Sequence, residues 1–505
     1  MPSILDIAIV LVYLIATIGV GLACRGRQQN DDDYFTAGGG FSQVFGALLV
    51  GLSIAATFFS GISLLAYPSV AYNNGPGIAI AALAIPLAGL PVLFWFLPKF
   101  LQHSGREPYG LIETQFGYPT RALASIMFIL LRLGWMGTLI YAPTAALMAA
   151  FQLSQDWFWP IILTIGLSST LYSAWGGLRG VIVTDAIQFL VLILGILWPI
   201  AHVFTHLPVS VFDFWSNMES SGEWVTLNTS IDMTDKRTVW SLLAGFFVSN
   251  VGIYMADQMS LQRYLASGTL RSARRAFVVN IVGVMVVTLL LTMLGVAMAA
   301  WYSQALQIAP EKVDDVFPRF VATILPPGAA GLIFAAILAA TMSSMTSGVN
   351  SLAAAISLDF ARHFNRDRTP QQALQFARRL SVTIGLLATA TAGVVRHLGT
   401  IFDIAQSVIG VFLGPLLICM SFAVFQVRVS QKSMILGMLS GTLAGWVIIF
   451  SPCDSLWVAP FSAITSAAIA LCGNLFRKGE SADQNKTAHH TKRGESITIA
   501  SENKP

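Results

Sequence analysis

The sequence predicts an all-α polytopic membrane protein of about 13 transmembrane helices, and two observations carry that prediction. Of the 505 residues, 55% are hydrophobic and 11% are charged, with a mean hydropathy of +0.69. A soluble protein has about 25% charged residues. Thirteen apolar runs also approach or exceed the roughly 20 residues that cross a bilayer as a helix. The lipid bilayer is therefore the first partner that the sequence predicts.

The predicted spans follow one another along the chain with short polar connections. They are Ile4–Cys24, Ser42–Ala71, Gly77–Phe100, Ala122–Phe151, Phe158–Leu178, Val181–Phe204, Val239–Leu265, Ala276–Tyr302, Gly328–Phe360, Leu380–Val395, Ile401–Phe425, Met434–Phe450 and Leu456–Phe476. The first run lacks a basic leading segment and an A-x-A cleavage pattern, so we expect it to remain as a permanent span.

Basic residues fall mainly in alternate loops, and this asymmetry predicts the orientation of the chain. One set of loops carries Arg25, Arg27, Lys99, Arg106, Arg121, Arg179, Arg263, Arg271, Arg274, Arg275, Arg362, Arg366, Arg368, Arg378, Arg379, Arg428 and Lys432. The other set holds Lys236, Arg237, Lys312, Arg319 and Arg396. We therefore expect a multi-pass protein of the cell membrane, with its N-terminus outside and its C-terminus in the cytoplasm. The polar tail 477–505 is predicted to be disordered.

Several function classes are disfavoured by the same sequence. The basic residues lie in short loops and form no stripe on a soluble domain, so we expect no nucleic-acid partner. The four cysteines lie far apart without a CxxC or Cys/His cluster, so they suggest neither a disulfide framework nor a zinc site. No catalytic dyad or nucleotide motif supports an enzyme.

Two spans contain small and polar residues in a pattern typical of interrupted helices. The second span holds Gly46, Gly51, Ser53, Thr57, Ser60, Gly61 and Ser63, and the seventh holds Gly245, Ser249, Asn250, Gly252, Asp257 and Gln258. They lie five spans apart, at corresponding positions of two five-helix halves. This pattern predicts an inverted-repeat secondary transporter with its binding site near the membrane midplane. Close helix packing through small residues is the alternative.

The ninth span holds the densest polar cluster, from Ala340 to Ser351. Ala340, Ser343, Ser344, Ser347 and Ser351 follow i, i+3, i+4 spacing and so share one face. Hydroxyls combined with carbonyls freed by an unwound helix suit a hard monovalent cation such as Na⁺, by analogy with other hard cations. The alternative is that the hydroxyls bond back to carbonyls of their own helix.

Charged residues inside spans are functional candidates because they are costly there. Asp185 lies in the first turns of the sixth span and is either a cation ligand or an acid favoured by the helix dipole. Arg132 lies about ten residues, roughly 15 Å, inside the fourth span. It either anchors an anionic substrate or pairs with a structural carboxylate.

Together these motifs resemble the sodium:solute symporter family, which has the fold of the bacterial leucine transporter. The residues that carry the resemblance are Asp33-Tyr34-Phe35 with Gly38-Gly39, Trp175-Gly176-Gly177 with Thr184, Asp185 and Gln188, Gln262-Arg263-Tyr264, and Ser343-Ser344, with Tyr141-Ala142-Pro143 in support. The resemblance implies one extra helix before two inverted five-helix repeats. The expected organisation is an extra helix and loop at 1–41, repeats at 42–206 and 239–425, an extracellular loop at 207–238, two C-terminal helices at 426–476 and the tail.

The resemblance also implies the site residues. The main Na⁺ site falls on carbonyls of Ala56, Phe59 and Ala340 with the hydroxyls of Ser343 and Ser344. A second Na⁺, present in some members, matches Ser343, Thr346, Ser347 and Asp185. The solute pocket is expected near Ser60, Gly61, Ser63, Arg132, Trp135, Asn250 and Tyr254.

The expected function is Na⁺-coupled import of a small organic solute by alternating access, with a monomeric transport unit. We expect an organic anion, similar to the substrates of the sialic acid and the monocarboxylate, vitamin and iodide branches. Sialic acid transporters of the family carry an arginine where this chain has Trp135, but Arg132 lies one helical turn away on the same face. A sugar or amino-acid symporter and a proton-coupled or uncoupled carrier are the alternatives.

Overall fold

The computed structural model of the protein describes most of the chain, and all regular structure in the described part is helical. It describes residues 3–24, 28–37, 40–41, 43–103, 107–207, 210–220, 227–304, 312, 315–361, 369–395 and 401–473. The predicted disordered tail 477–505 and the motif residues Gly38 and Gly39 lie outside these ranges, as do several loop arginines used to predict orientation.

Two sets of helices follow the chain on either side of a long connection. The first set is α1 Ile4–Ala23, α2 Asp31–Thr36, α3 Val44–Phe58, α4 Gly61–Asn74, α5 Ala81–Pro91, α6 Leu97–His103, α7 Gly110–Phe116, α8 Tyr118–Phe151 and α9 Phe158–His206. The second set is α10 Val211–Ser220, α11 Val239–Met255, α12 Gln258–Ala266, α13 Leu270–Gln304, α14 Val316–Ile324, α15 Ala329–Ala354, α16 Pro370–Val395, α17 Ile401–Val424, α18 Gln431–Ile449 and the last helix, α19, Ser455–Gly473. A π-helical segment, Val92–Phe96, joins α5 to α6, and another, Ala355–Ala361, extends α15.

The thirteen predicted spans can be compared with the helices of the described residues. Among the described residues, nine helices are long and apolar enough to cross a membrane, or up to eleven if each of two bent pairs is one span. One of the nine, which includes α9, contains two of the predicted runs, Phe158–Leu178 and Val181–Phe204. Every predicted run overlaps a helix, while thirteen separate spans stay a prediction.

The long helix α9 is broken at Gly177. Its φ of 58° and ψ of −166° are open to glycine and strained for residues with a Cβ. The N-terminal motif packs at this break: the Tyr34 hydroxyl donates to the carbonyl of Ala174 at 3.2 Å, and Gln28 Nε2 donates to that of Gly176 at 2.6 Å. Burial raises the pKa of Tyr34 to about 12, so its hydroxyl stays protonated as a donor. Two segments that are distant in the sequence therefore stabilise the bend at Gly177 by hydrogen bonds.

Both predicted interrupted helices are confirmed. Helices α3 and α4 meet at an angle of 61°, and α11 and α12 at 49°. At the first break Ser60 caps α4, with the Ser63 hydroxyl accepting from the Ser60 N–H. At the second break the Asp257 carboxylate caps α12 by accepting from the Met259 N–H at 2.9 Å. Side chains thus satisfy some of the backbone groups that each interruption opens.

Helix α15 lies at the centre of the molecule and is almost wholly buried. It packs along α9, α8, α1 and the two halves of the first broken helix. All of its hydroxyl side chains from Thr341 to Ser351 are therefore enclosed by protein. This placement brings the polar face of the ninth predicted span against the break between α3 and α4.

Candidate functional site

Five oxygen atoms converge where α15 faces the break in the first broken helix. The Ser343 hydroxyl lies 3.1 Å from the carbonyl oxygen of Ala56 and 3.0 Å from that of Ala340. The Ser344 hydroxyl lies 3.3 Å from the carbonyl oxygen of Phe59. The structure therefore brings together all five residues predicted for the main Na⁺ site.

The break between α3 and α4 makes these carbonyls available. Phe59 and Ser60 adopt extended backbone, with ψ of 126° and 173°. In an uninterrupted helix the Ser60 N–H would bond to the carbonyl of Ala56; here it bonds to the Ser63 hydroxyl instead, at 3.4 Å. The Ala56 carbonyl is thereby released toward α15.

The chemistry of this donor set fits a hard monovalent cation. All five oxygens are neutral, and hard cations prefer oxygen ligands. Divalent cations are usually bound with the help of carboxylates, so a set of neutral oxygens favours a monovalent cation such as Na⁺.

Asp185 lies beside this site and forms a buried ion pair that the sequence analysis did not foresee. Its Oδ2 accepts from Arg263 Nη2 at 2.8 Å, and both side chains are about 99% buried or more. Arg263 also donates to the hydroxyls of Ser53 at 2.8 Å and Ser347 at 2.5 Å. Asp185 Oδ1 has no hydrogen-bond partner among the described residues.

The two predicted ion sites are adjacent. The Thr57 carbonyl lies 3.2 Å from the Ser344 hydroxyl, while the Thr57 hydroxyl lies 3.1 Å from that of Ser347. Thr346, the remaining predicted residue, donates its hydroxyl to the carbonyls of Met342 and Ser343 in its own helix.

A cavity is enclosed by the two broken helices (α3 with α4, and α11 with α12) together with α8 and α17. Four of the predicted solute residues line it: Ser63, Arg132, Trp135 and Asn250. Both Asn250 amide atoms are buried without hydrogen-bond partners among the described residues. Since a buried amide without partners is costly, Asn250 is a candidate contact for a bound solute.

Arg132 faces the cavity, where it forms an ion pair with Asp257. Asp257, at the break between α11 and α12, is 1% exposed and also lines the cavity. Asp257 is predicted from the sequence as part of an interrupted helix but not as a site residue. The feature that could have identified it is a carboxylate at a predicted midplane break, where an intramembrane charge needs a partner.

The other three predicted solute residues lie outside the cavity lining. Ser60 caps α4, and Gly61 lies so close to Thr341 of α15 that a side chain there would collide with its hydroxyl. Tyr254 is fully buried, with its ring centroid 5.9 Å from that of Phe58, a cavity residue. Ser60 and Gly61 therefore shape the broken helix, while Tyr254 supports the wall from behind.

A second charged cluster joins the far end of α15 to α12. Asp359 in the π-helical extension binds Arg121 at 2.5 Å and accepts from Gln258 Nε2 at 2.9 Å. Asp359 also accepts from the Ser125 hydroxyl at 2.6 Å. The central helix thus contacts both halves of the first broken pair, α3 and α4, and is tied to the α12 half of the second pair through its π-helical extension.

Two broken helices, an enclosed set of neutral oxygens and a charged cavity between them define a cation-coupled secondary transporter. The sequence model of the sodium:solute symporter family matches residues 34–441, and the chain belongs to that family. Its coupling ion is Na⁺, and it functions as a membrane-embedded symporter.

The relatives transport different solutes. The sodium/sialic acid symporter NanT of Aliivibrio fischeri is 29% identical, over 85% of this chain and 84% of its own length. The sodium/sialic acid symporter SiaT of Proteus mirabilis is 27% identical, over 87% of this chain and 88% of its own. The human sodium-coupled monocarboxylate transporter 2 is also 27% identical, over 90% of this chain and 74% of its own.

Solved structures show the same fold. A Na⁺-coupled sialic acid symporter in a substrate-bound outward-open state aligns with a TM-score of 0.84 at 24% identity, covering 94% of this chain and 98% of that one. Mhp1, a nucleobase-cation-symport-1 family transporter, aligns with a TM-score of 0.57 at 14% identity, covering 84% and 91% of the two chains. The predicted leucine-transporter-like fold is confirmed.

Proposed function

We propose that the protein imports a small organic anion together with Na⁺ by alternating access. The observation that carries this proposal is the set of five neutral oxygens between the first broken helix and α15, beside a cavity that Arg132 lines. Na⁺ bound there by Ala56, Phe59, Ala340, Ser343 and Ser344 would hold the broken helix against α15. An ion that favours the solute-binding arrangement raises solute affinity, and the solute raises ion affinity by the same factor.

A second Na⁺ at Ser343, Thr346, Ser347 and Asp185 is part of the proposal. Its support is the Asp185 carboxylate, of which Oδ1 has no hydrogen-bond partner among the described residues while Oδ2 binds Arg263. If two Na⁺ ions bind in each transport cycle, the dependence of uptake on the Na⁺ concentration should have a Hill coefficient near 2. A Thr346→Ala variant is then expected to reduce the coefficient toward 1.

The solute class follows from the cavity and the relatives together. Sialic acid and the monocarboxylates are named as substrates of the related transporters. In this chain a solute carboxylate would compete with Asp257 for the Arg132 guanidinium, and the unpartnered Asn250 amide would donate a further hydrogen bond. Serine hydroxyls and Trp135 complete the lining.

Uptake by proteoliposomes of sialic acid, lactate, pyruvate, pantothenate, proline and glucose tests the solute class. We expect one of the acids to enter under a Na⁺ gradient and proline and glucose to be excluded. The variant R132Q/D257N removes both charges, so neither is left buried alone. It is expected to raise the KM for that acid at least tenfold. An unchanged KM in this variant would refute the role of Arg132.

The orientation and assembly also remain proposals. The distribution of Lys and Arg supports a plasma-membrane protein with its N-terminus outside and its C-terminus in the cytoplasm. We take the transport unit to be a monomer without enzymatic activity, since the ion and solute residues come from one chain. In a variant without native cysteines, a cysteine at Thr234 should react with an impermeant reagent outside the cell and one at Lys432 should not.

A further inference from the structure

A groove outside the ion and solute sites lies where α3, the π-helical segment Val92–Phe96 and α13 meet. Its volume is about 540 Å³. Apolar side chains form most of its wall, among them Leu48, Leu93, Phe94 and Val278, and two arginines, Arg274 and Arg275, lie at its edge. Such a surface combines an apolar slot with two positive charges.

The two arginines have no carboxylate within ion-pair distance among the described residues. Arg274 Nε donates to the backbone carbonyl of Leu93 at 3.4 Å, which directs the side chain toward the groove. Arg275 is exposed. Arginine is suited to phosphate, which its planar guanidinium binds through two parallel hydrogen bonds.

The position of the groove indicates the level of the lipid headgroups. Trp95, the chain neighbour of the lining residue Phe94, is 61% exposed. Tryptophan concentrates at the interface between membrane and water. The arginines belong to the loop set predicted to be cytoplasmic, where the leaflet carries anionic lipids. An amphiphile with an anionic head matches both parts of the groove.

We propose that this groove binds an anionic phospholipid of the cytoplasmic leaflet, with its phosphate on Arg274 and Arg275 and one acyl chain along the apolar wall. The two helices that line the groove, α3 and α13, pack closely on each other, and Gly51 of α3 lies against Ala276 and the lining residue Val279. Helix α3 ends near the carbonyls of the ion site. The bound lipid therefore rests on the same helix that supplies sodium ligands.

Native mass spectrometry of the full-length detergent-purified protein tests the site with phosphatidylglycerol and phosphatidylcholine of identical acyl chains. A hydrogen bond to a charged group is worth roughly a tenfold factor or more in affinity, so R274A/R275A should weaken phosphatidylglycerol binding at least tenfold. The control R271A/K432A removes two charges from the same set of loops outside the groove and should bind like the unaltered protein. Phosphatidylcholine should bind more weakly than phosphatidylglycerol to the unaltered protein, and this difference should shrink in R274A/R275A.

Two further measurements distinguish a site that binds a lipid from one that binds a free phosphate group. Leu48→Trp narrows the groove with both arginines intact and should also weaken phosphatidylglycerol binding, and soluble glycerol phosphate should not compete. Equal binding of the two lipids, unchanged binding by R274A/R275A relative to its control, or displacement by glycerol phosphate would overturn the proposal. Because none of these measurements depends on transport, failure here leaves the transport proposal standing.

Discussion

Ser343 and Ser344 supply the only side-chain oxygens in the proposed main Na⁺ site. Removing either hydroxyl takes one of five ligands from the ion, and a hydrogen bond or contact to a charged group contributes about 1.5–3 kcal/mol. We expect Ser343→Ala and Ser344→Ala each to raise the Na⁺ concentration for half-maximal uptake tenfold or more.

Ser351 provides the matched control for these two variants. It is buried on the same face of α15, but its hydroxyl donates to the carbonyl of Gly348 within its own helix, at 3.0 Å. Ser351→Ala should leave the Na⁺ dependence unchanged. The same dependence in all three variants would contradict the proposed ligand set.

The Asp185–Arg263 pair predicts a non-additive effect on stability. Removing one partner of a buried ion pair costs about 3–5 kcal/mol, because the other charge remains buried alone. Asp185→Asn and Arg263→Gln should each lower the thermal unfolding temperature in detergent. The double variant should lose less than the sum of the two. Additive losses would mean that the two side chains do not stabilise each other.

The sequence predicted which polar residues face the first break better than it predicted their partners. The hydroxyls that recur at helical spacing mark one face of α15, and the family resemblance names Ser343 and Ser344 on that face as Na⁺ ligands, which stays a prediction. Arg263 is counted among the loop cations, because it lies at the very end of the apolar run of the seventh span and a sequence does not show that α12 packs in the core. For Arg132 the sequence left open a substrate or a carboxylate partner, since helix rotation decides which group it meets.

At the level of elements, the angle between α3 and α4 depends on close contact with α15. A Cβ at Gly61 would collide with the Thr341 hydroxyl and lie 3.3 Å from the carbonyl of Ile337. Gly61→Ala should therefore push α4 away from α15 and weaken Na⁺ activation of transport severalfold.

A second substitution, Thr341→Ala, should restore the function of the Gly61→Ala variant. Its hydroxyl is buried without a hydrogen-bond partner among the described residues, so removing it opens space at little cost. Thr341→Ala alone should behave like the unaltered protein, and Gly61→Ala/Thr341→Ala should recover most of the lost Na⁺ affinity. A double variant as impaired as Gly61→Ala would show that contact with Thr341 does not set the angle.

Both breaks were predictable, because small and polar residues interrupt apolar runs at corresponding places in two halves. The runs Phe158–Leu178 and Val181–Phe204 are likewise predicted as separate, and the non-helical backbone at Gly177 divides residues 158–206 close to that boundary. The π-helical segments leave no comparable pattern: Val92–Phe96 is as apolar as its neighbours. Elements marked by polar residues were therefore predicted, and those set only by backbone geometry were not.

For the whole molecule, the energy available from Na⁺ sets how far a solute can be concentrated. One charge moved inward gains roughly 2.3 kcal/mol per 100 mV, and a tenfold gradient adds about 1.4 kcal/mol. Two sodium ions thus supply roughly 7 kcal/mol at about 100 mV, less the cost of moving an anion against the potential, and one ion supplies half.

The steady-state accumulation of the transported acid in proteoliposomes tests Na⁺ coupling most directly. An inward Na⁺ gradient is compared with an equal K⁺ gradient at a clamped membrane potential. We predict accumulation above the outside concentration with Na⁺ and mere equilibration with K⁺, with Ser343→Ala needing more Na⁺ for the same initial rate. Equal accumulation with either cation would contradict Na⁺ coupling through an ion bound between the first broken helix and α15.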